Sequence, residues 1–144
     1  MAVVVTFDEL PKYSGTVSMV DGAFDPLHAG HIAYFRAAAA LGHPLLCNVA
    51  SDRYVSTKHP PLLPEQQRAT VIDALRDIIF THMDTYDTAS VLRQLRPWAY
   101  VKGADWRGRL PRLQVDICDS LGIRIYFLDT VSESSTRLLR AAHW

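Results

Sequence analysis

The chain has 144 residues, 49% of them hydrophobic and 21% charged, which suits one compact domain over 1–144 with its own core, residues 1–15 serving as a lead-in. Fifteen Lys and Arg balance fifteen Asp and Glu. This excludes a broad basic surface for nucleic acid, so any anion site must come from local geometry. No apolar run approaches the roughly 18 residues of a membrane span.

In chain order, MAVVVTFDELPKYSG is too short and too quickly charged for a signal peptide, and residues 6–13 can form a short helical lead-in. A buried strand is predicted over Thr16–Val20, and a helix over Gly30–Leu41 with Ile32, Phe35 and the alanines on one face and Gly42 as its cap. A second strand covers 44–50, followed by the polar, proline-containing loop SDRYVSTKHPPL. Pro64 fits the first turn of a helix to Leu75, and Asp77–Thr81 is strand-like. Thr88 can cap a helix to Leu95, and a fourth strand follows in WAYVKG. Leu110–Leu121 is helical and closed by Gly122, IRIYFL is a fifth strand, and a last helix starts near Ser134. Cys47 and Cys118 each lie in an apolar run with no CxxC spacing, which reads as two reduced core thiols in a cytoplasmic protein.

Strands and helices alternate, and the strands are apolar without alternation. That pattern predicts a doubly wound α/β domain, Rossmann-like, with five parallel strands in the order 3-2-1-4-5. The switch point lies between strands 1 and 4, where ligands bind outside the carboxyl ends. The polar, small-residue segments of the chain land there: DGAFDPLHAGH after strand 1, VKGADW ending strand 4, and TVSESST after strand 5.

In DGAFDPLHAGH, Gly22 and Ala23 allow close backbone approach to a ligand. Gly30 and His31 stand near a helix start, where free amides and the dipole favour an anion such as phosphate. His28 and His31 are three apart and can share one side of a first helical turn, donating to phosphate oxygens as charge develops. Spacing alone leaves two other readings open: a metal pair with Asp25 as third ligand, and two ordinary hydrogen-bonded loop histidines. Ser134, Ser135 and Thr136 open the last helix and offer a second anion site or a plain cap. Asp25 can orient its loop through backbone amides.

The segment DGAFDPLHAGH resembles the GxFDxxHxGH motif of nucleotidyltransferases of the cytidylyltransferase family. FDPLHAGHIAYFRAAAALG with NVASD, the loop lysine, PEQQR, VKG and SST are similar to the adenylyltransferase domains of heptose-phosphate enzymes, in the same order. VKGADWRGRL also looks like the GDDW segment of glycerol-3-phosphate cytidylyltransferases. The resemblance implies transfer of NMP from an NTP to a phosphorylated small molecule, with pyrophosphate released. Catalysis would rest on positioning and charge neutralisation. It implies His28, His31 and Lys58 as catalytic residues. It implies nucleotide contacts at Gly22, Ala23, Phe24, Gly30, Lys102, Gly103, Asp105, Ser134, Ser135 and Thr136, and acceptor contacts at Asp25, Arg68 and Trp106. Mg²⁺ is expected with the triphosphate, held by phosphates and water, with no protein metal site. No nucleic-acid or membrane partner is expected, and a homodimer stays open by analogy with relatives of this size.

The sequence departs from these relatives in DTVSESST, where Asp129 replaces the arginine of RTEGIST and Val131 and Ser132 replace a Glu-Gly pair. GADW stands for GGDY, and STKHPP replaces a glycine-rich lysine loop. The missing arginine favours ATP over CTP. The changed loop leaves the acceptor open among sugar or polyol phosphates, a phosphonate, a phosphorylated amino alcohol or a cofactor precursor. A nucleotide-binding module without turnover is the remaining reading.

Overall fold

The computed structural model describes residues 3–129. The expected last helix, with Ser134, Ser135 and Thr136, lies outside the described residues. Six strands form one parallel sheet: β1 (Val3–Val4), β2 (Ser18–Gly22), β3 (Leu45–Val49), β4 (Ile78–Met83), β5 (Ala99–Gly103) and β6 (Arg124–Leu128). The spatial order is β1-β4-β3-β2-β5-β6. Its last five strands are the expected five in the expected order, and β2 and β5 are neighbours at the switch point. β1 is an addition at the edge, paired through Val3 with Phe80 and Val4 with Thr81. The expected lead-in helix follows it as a 3-10 turn over Phe7–Tyr13.

The helices are α1 (Ala29–Ala39), α2 (Asp52–Val55), α3 (Glu65–Asp73), α4 (Thr88–Leu95) and α5 (Arg112–Leu121). Three details correct the sequence expectation. The start of the polar loop is the single turn α2. The cap of α4 is Asp87, whose carboxylate accepts from the Ser90 amide at 2.6 Å, and Thr88 is its first helical residue. The C-terminal cap of α1 is Ala40 rather than Gly42. Gly122 does close α5, in the left-handed conformation that glycine adopts without strain.

Both sheet faces are apolar because successive strand residues point to opposite sides. Met19, Leu46 and Tyr100 pack with Leu92 and Leu95 of α4 and Ile117 of α5. Val20, Cys47 and Val101 pack with Phe35 and Ala38 of α1 and Ile72 of α3. This is the fully covered sheet that the non-alternating apolar strands predict. Cys47 and Cys118 are free and buried in it. No described helix is long and apolar enough to cross a membrane.

Candidate active site at the carboxyl ends of the strands

β2 ends at Gly22, and the chain folds back at once. A Cβ at Gly22 would lie 3.0 Å from the tip of the Phe24 ring, a contact tight enough that the buried ring would have to shift by a few tenths of an ångström. Phe24 is buried with φ 52°, its ring edge-on to His31 at 5.1 Å and beside Phe35 at 5.3 Å. Its side chain therefore supports the His31 ring and turns inward, away from any ligand.

The two histidines build the start of α1. His28 is the cap, with extended backbone, and its Nδ1 accepts from the Gly30 amide at 3.0 Å. His31 Nδ1 accepts from the His28 amide at 3.2 Å. This is a reciprocal capping box made of imidazoles. The rings stack with centroids 3.8 Å apart. A neutral imidazole that accepts at Nδ1 carries its proton on Nε2. The capping box thus favours the tautomer with the proton on Nε2 in both rings, and the Nε2 of His28 is buried. Burial, and then the neighbouring His28, lower the pKa of His31 from 6.5 to about 4, so it is a neutral donor at pH 7. One expectation changes here: the Gly30 amide is already given to His28, so it is not a free phosphate ligand.

A cleft at the end of β2 is lined by Gly22, Ala23, Lys58, Lys102 and Trp106 among the expected residues, and His28 and His31 are not part of its lining. It is also lined by Asp21, Asn48, Tyr54 and Asp84, which sequence reasoning left unassigned. Lys102 Nζ lies 2.6 Å from Asp21 Oδ1, with side chains 8% and 9% exposed, so Lys102 carries a buried counter-ion. The Tyr100 hydroxyl donates to the other Asp21 oxygen at 2.7 Å. The Tyr34 hydroxyl donates to the Val101 carbonyl. Burial, and then the Asp21 charge, push both tyrosine hydroxyls well above their ordinary range. On the β3–β4 side, Asn48 Nδ2 donates to Asp84 at 3.1 Å, and burial pushes the Asp84 carboxyl up.

Arg68 and Asp25 stand elsewhere. Arg68 is 1% exposed and spends its guanidinium on the carbonyls of Leu63, Ala23 and Ala50 and on Asp52, at 2.8 to 2.9 Å. Asp25 is also buried and accepts from the Leu62 and Leu63 amides at 2.8 and 3.1 Å. Neither reaches the cleft as an acceptor contact would. Both instead bind the loop after α2 to the loop after β2. Asp25 thus orients the loop after α2 through the Leu62 and Leu63 amides. Gly103 is buried at the end of β5, and Asp105 is exposed in the 3-10 turn Ala104–Trp106. Among the described residues, no three His, Cys, Asp or Glu side chains are arranged to hold a metal, and Asp25 is committed to amides, which removes the HxxH–Asp25 metal reading.

A family profile described as cytidylyltransferase-like matches residues 19–120. The chain is 35% identical over 134 residues to the bifunctional protein HldE of Gluconobacter oxydans, covering 90% of this chain and 28% of that protein. It is 34% identical over 93 residues to the FAD synthase of Methanosarcina mazei, covering 62% of this chain and 60% of that one. It therefore spans about a quarter of the HldE protein's length. A solved lipopolysaccharide core biosynthesis protein from Thermoplasma volcanium superposes with TM-score 0.70 at 27% identity, covering 81% of this chain and 98% of that one.

Proposed function

The chain belongs to the cytidylyltransferase-like family, and on that premise we propose that it is a nucleotidyltransferase acting on a phosphorylated sugar or polyol, with ATP as the preferred nucleotide. The observation that carries the reading is the stacked pair His28 and His31 at the start of α1, each accepting a backbone amide at Nδ1, on the loop whose first residues Gly22 and Ala23 line a cleft with Lys58 and Lys102.

In the proposed step an acceptor phosphate oxygen attacks the α-phosphorus of the nucleotide. The new P–O bond forms as the bond to the β-phosphate oxygen breaks, and pyrophosphate leaves with the electron pair. No nucleophile on the protein is required. His28 and His31 donate Nε2–H to phosphoryl oxygens that gain charge in the transition state. A preorganised neutral donor suits this task, because it needs no proton uptake at pH 7. Lys58, from the loop after α2, supplies the cationic contact to the α-phosphate and the acceptor. Lys102 and the backbone at Gly22 and Ala23 form the floor under the nucleotide, with Gly103 and Asp105 on its β5 side. Ser134, Ser135 and Thr136 are proposed as β- and γ-phosphate ligands by their likeness to the SST segment of relatives. Mg²⁺ would arrive on the triphosphate and neutralise its charge. Asp105, exposed and without a counter-ion among the described residues, is the side chain suited to a metal-bound water.

The testing experiment is pyrophosphate release with each of four NTPs against phosphorylated sugars, polyols and amino alcohols. Release with ATP and a sugar or polyol phosphate supports the reading. Turnover only with CTP or an amino-alcohol phosphate replaces the specificity, and nucleotide binding with no turnover anywhere in the panel overturns the enzyme.

A further inference from the structure

We propose that Tyr54 and Trp106 are positioning residues for Lys58, two aromatic faces that fix its ammonium in the cleft without cancelling its charge. The inference rests on the reading in which Lys58 meets a substrate phosphate.

Lys58 Nζ lies 5.0 Å from the Tyr54 ring centroid and 5.8 Å from that of Trp106, both within reach of a cation–π attraction. The rings come from separate segments, α2 and the turn after β5. The backbone below them is firm. The Lys58 amide donates to the Val55 carbonyl at 2.9 Å, the Thr57 hydroxyl to the Tyr54 carbonyl at 2.6 Å, and Val55 is 1% exposed. Tyr54, Lys58 and Trp106 all line the one cleft.

The contrast with Lys102 gives this arrangement its meaning. Lys102 Nζ sits on the same Trp106 ring, at 4.2 Å, but is paired with Asp21 at 2.6 Å. A carboxylate holds a lysine by neutralising it. An aromatic ring holds it by its quadrupole and adds no net charge. Lys58 pairs with no carboxylate among the described residues. Of the two ammonium groups that meet on Trp106, only Lys58 keeps its full charge for an incoming phosphate. A free lysine on a loop would lose much rotamer entropy on engaging a ligand, and the aromatic bracket spends part of that cost in advance.

The test is the dissociation constant of Mg-ATP by titration calorimetry for wild type, Y54L, Y54F, W106L, W106F, K58M and the doubles Y54L/K58M and W106L/K58M. Tyr54 is 48% exposed, so Y54L spares the core, and its ring lies under Lys58 while Lys102 lies over Tyr100 and Trp106. Y54L and W106L should each weaken ATP about 2- to 5-fold, the scale of an exposed cation–π contact. Y54F and W106F should restore the affinity, Y54L should weaken ATP no further in the K58M background, and W106L should there keep only the part of its loss that comes through Lys102. Wild-type affinity in Y54L, or the same loss from Y54L with and without Lys58, overturns the positioning role. K58M binding ATP like wild type overturns the underlying reading of Lys58 instead.

Discussion

The imidazole capping box makes a quantitative prediction about pH. His31 in the folded chain has its pKa lowered from 6.5 to about 4. Between those values the unfolded chain holds a proton on His31 that the folded chain does not. The unfolded state then binds more protons, so stability must fall as pH falls. At about 1.4 kcal/mol per pH unit, the full interval is worth about 3 kcal/mol, complete above pH 6.5 and lost by about pH 4. The cause is physical: a protonated His31 loses Nδ1 as acceptor for the His28 amide and puts charge in a half-buried site beside a second imidazole. The perturbation is His31→Asn, whose Oδ1 can accept the same amide without titrating there. Urea unfolding from pH 7.5 to 4.5 would be run on both proteins and the difference taken, which cancels the titration of Asp and Glu. The wild type should lose stability relative to the variant by about 1.4 kcal/mol per unit below pH 6.5. A difference that stays flat over that range would refute the half-buried, neutral His31 and the donor role built on it.

Other substitutions test neighbouring parts of the account. Arg68→Met leaves three carbonyls and Asp52 without their donor, and should cost about 3 to 5 kcal/mol in urea unfolding. A loss below about 1 kcal/mol, with a raised acceptor KM, would return Arg68 to the cleft as a ligand. Asp21→Asn strands the Lys102 charge at 8% exposure and should likewise destabilise by about 3 kcal/mol or more, read by the urea midpoint. His28→Ala should lower kcat about 100-fold or more with the fold retained by circular dichroism. Near-normal turnover in that variant would remove the histidines from the chemistry.

What could be read from the sequence follows from what is local. The five long strands and their order came from apolar runs and from the handedness of crossovers, which need no knowledge of distant partners. β1 is two residues long and is a strand only through Phe80 and Thr81, so no periodicity announces it. Asp87 and Thr88 are both good caps, and only the geometry of the Ser90 amide separates them. DGAFDPLHAGH was legible as a site because its residues are contiguous, though the imidazole capping box and its tautomer required coordinates. The Asp21, Tyr100 and Lys102 cluster joins strands about 80 positions apart. It was invisible until β2 and β5 lay side by side. Arg68 misled for the same reason. A helix arginine after PEQQ reads as a free cation, yet the loops around it turn three carbonyls inward to meet it.

The central claim is transfer of the nucleotide's α-phosphate to a phosphorylated acceptor. The most direct measurement uses ATP labelled at the α-phosphate or, in parallel, at the γ-phosphate, with the acceptor that gives turnover. The α-label should appear in an acceptor-linked product and the γ-label in pyrophosphate, in equal amounts, both forming about 100-fold or more slowly in His28→Ala. The γ-label appearing in the acceptor or in free phosphate, with none of the α-label transferred, would contradict it.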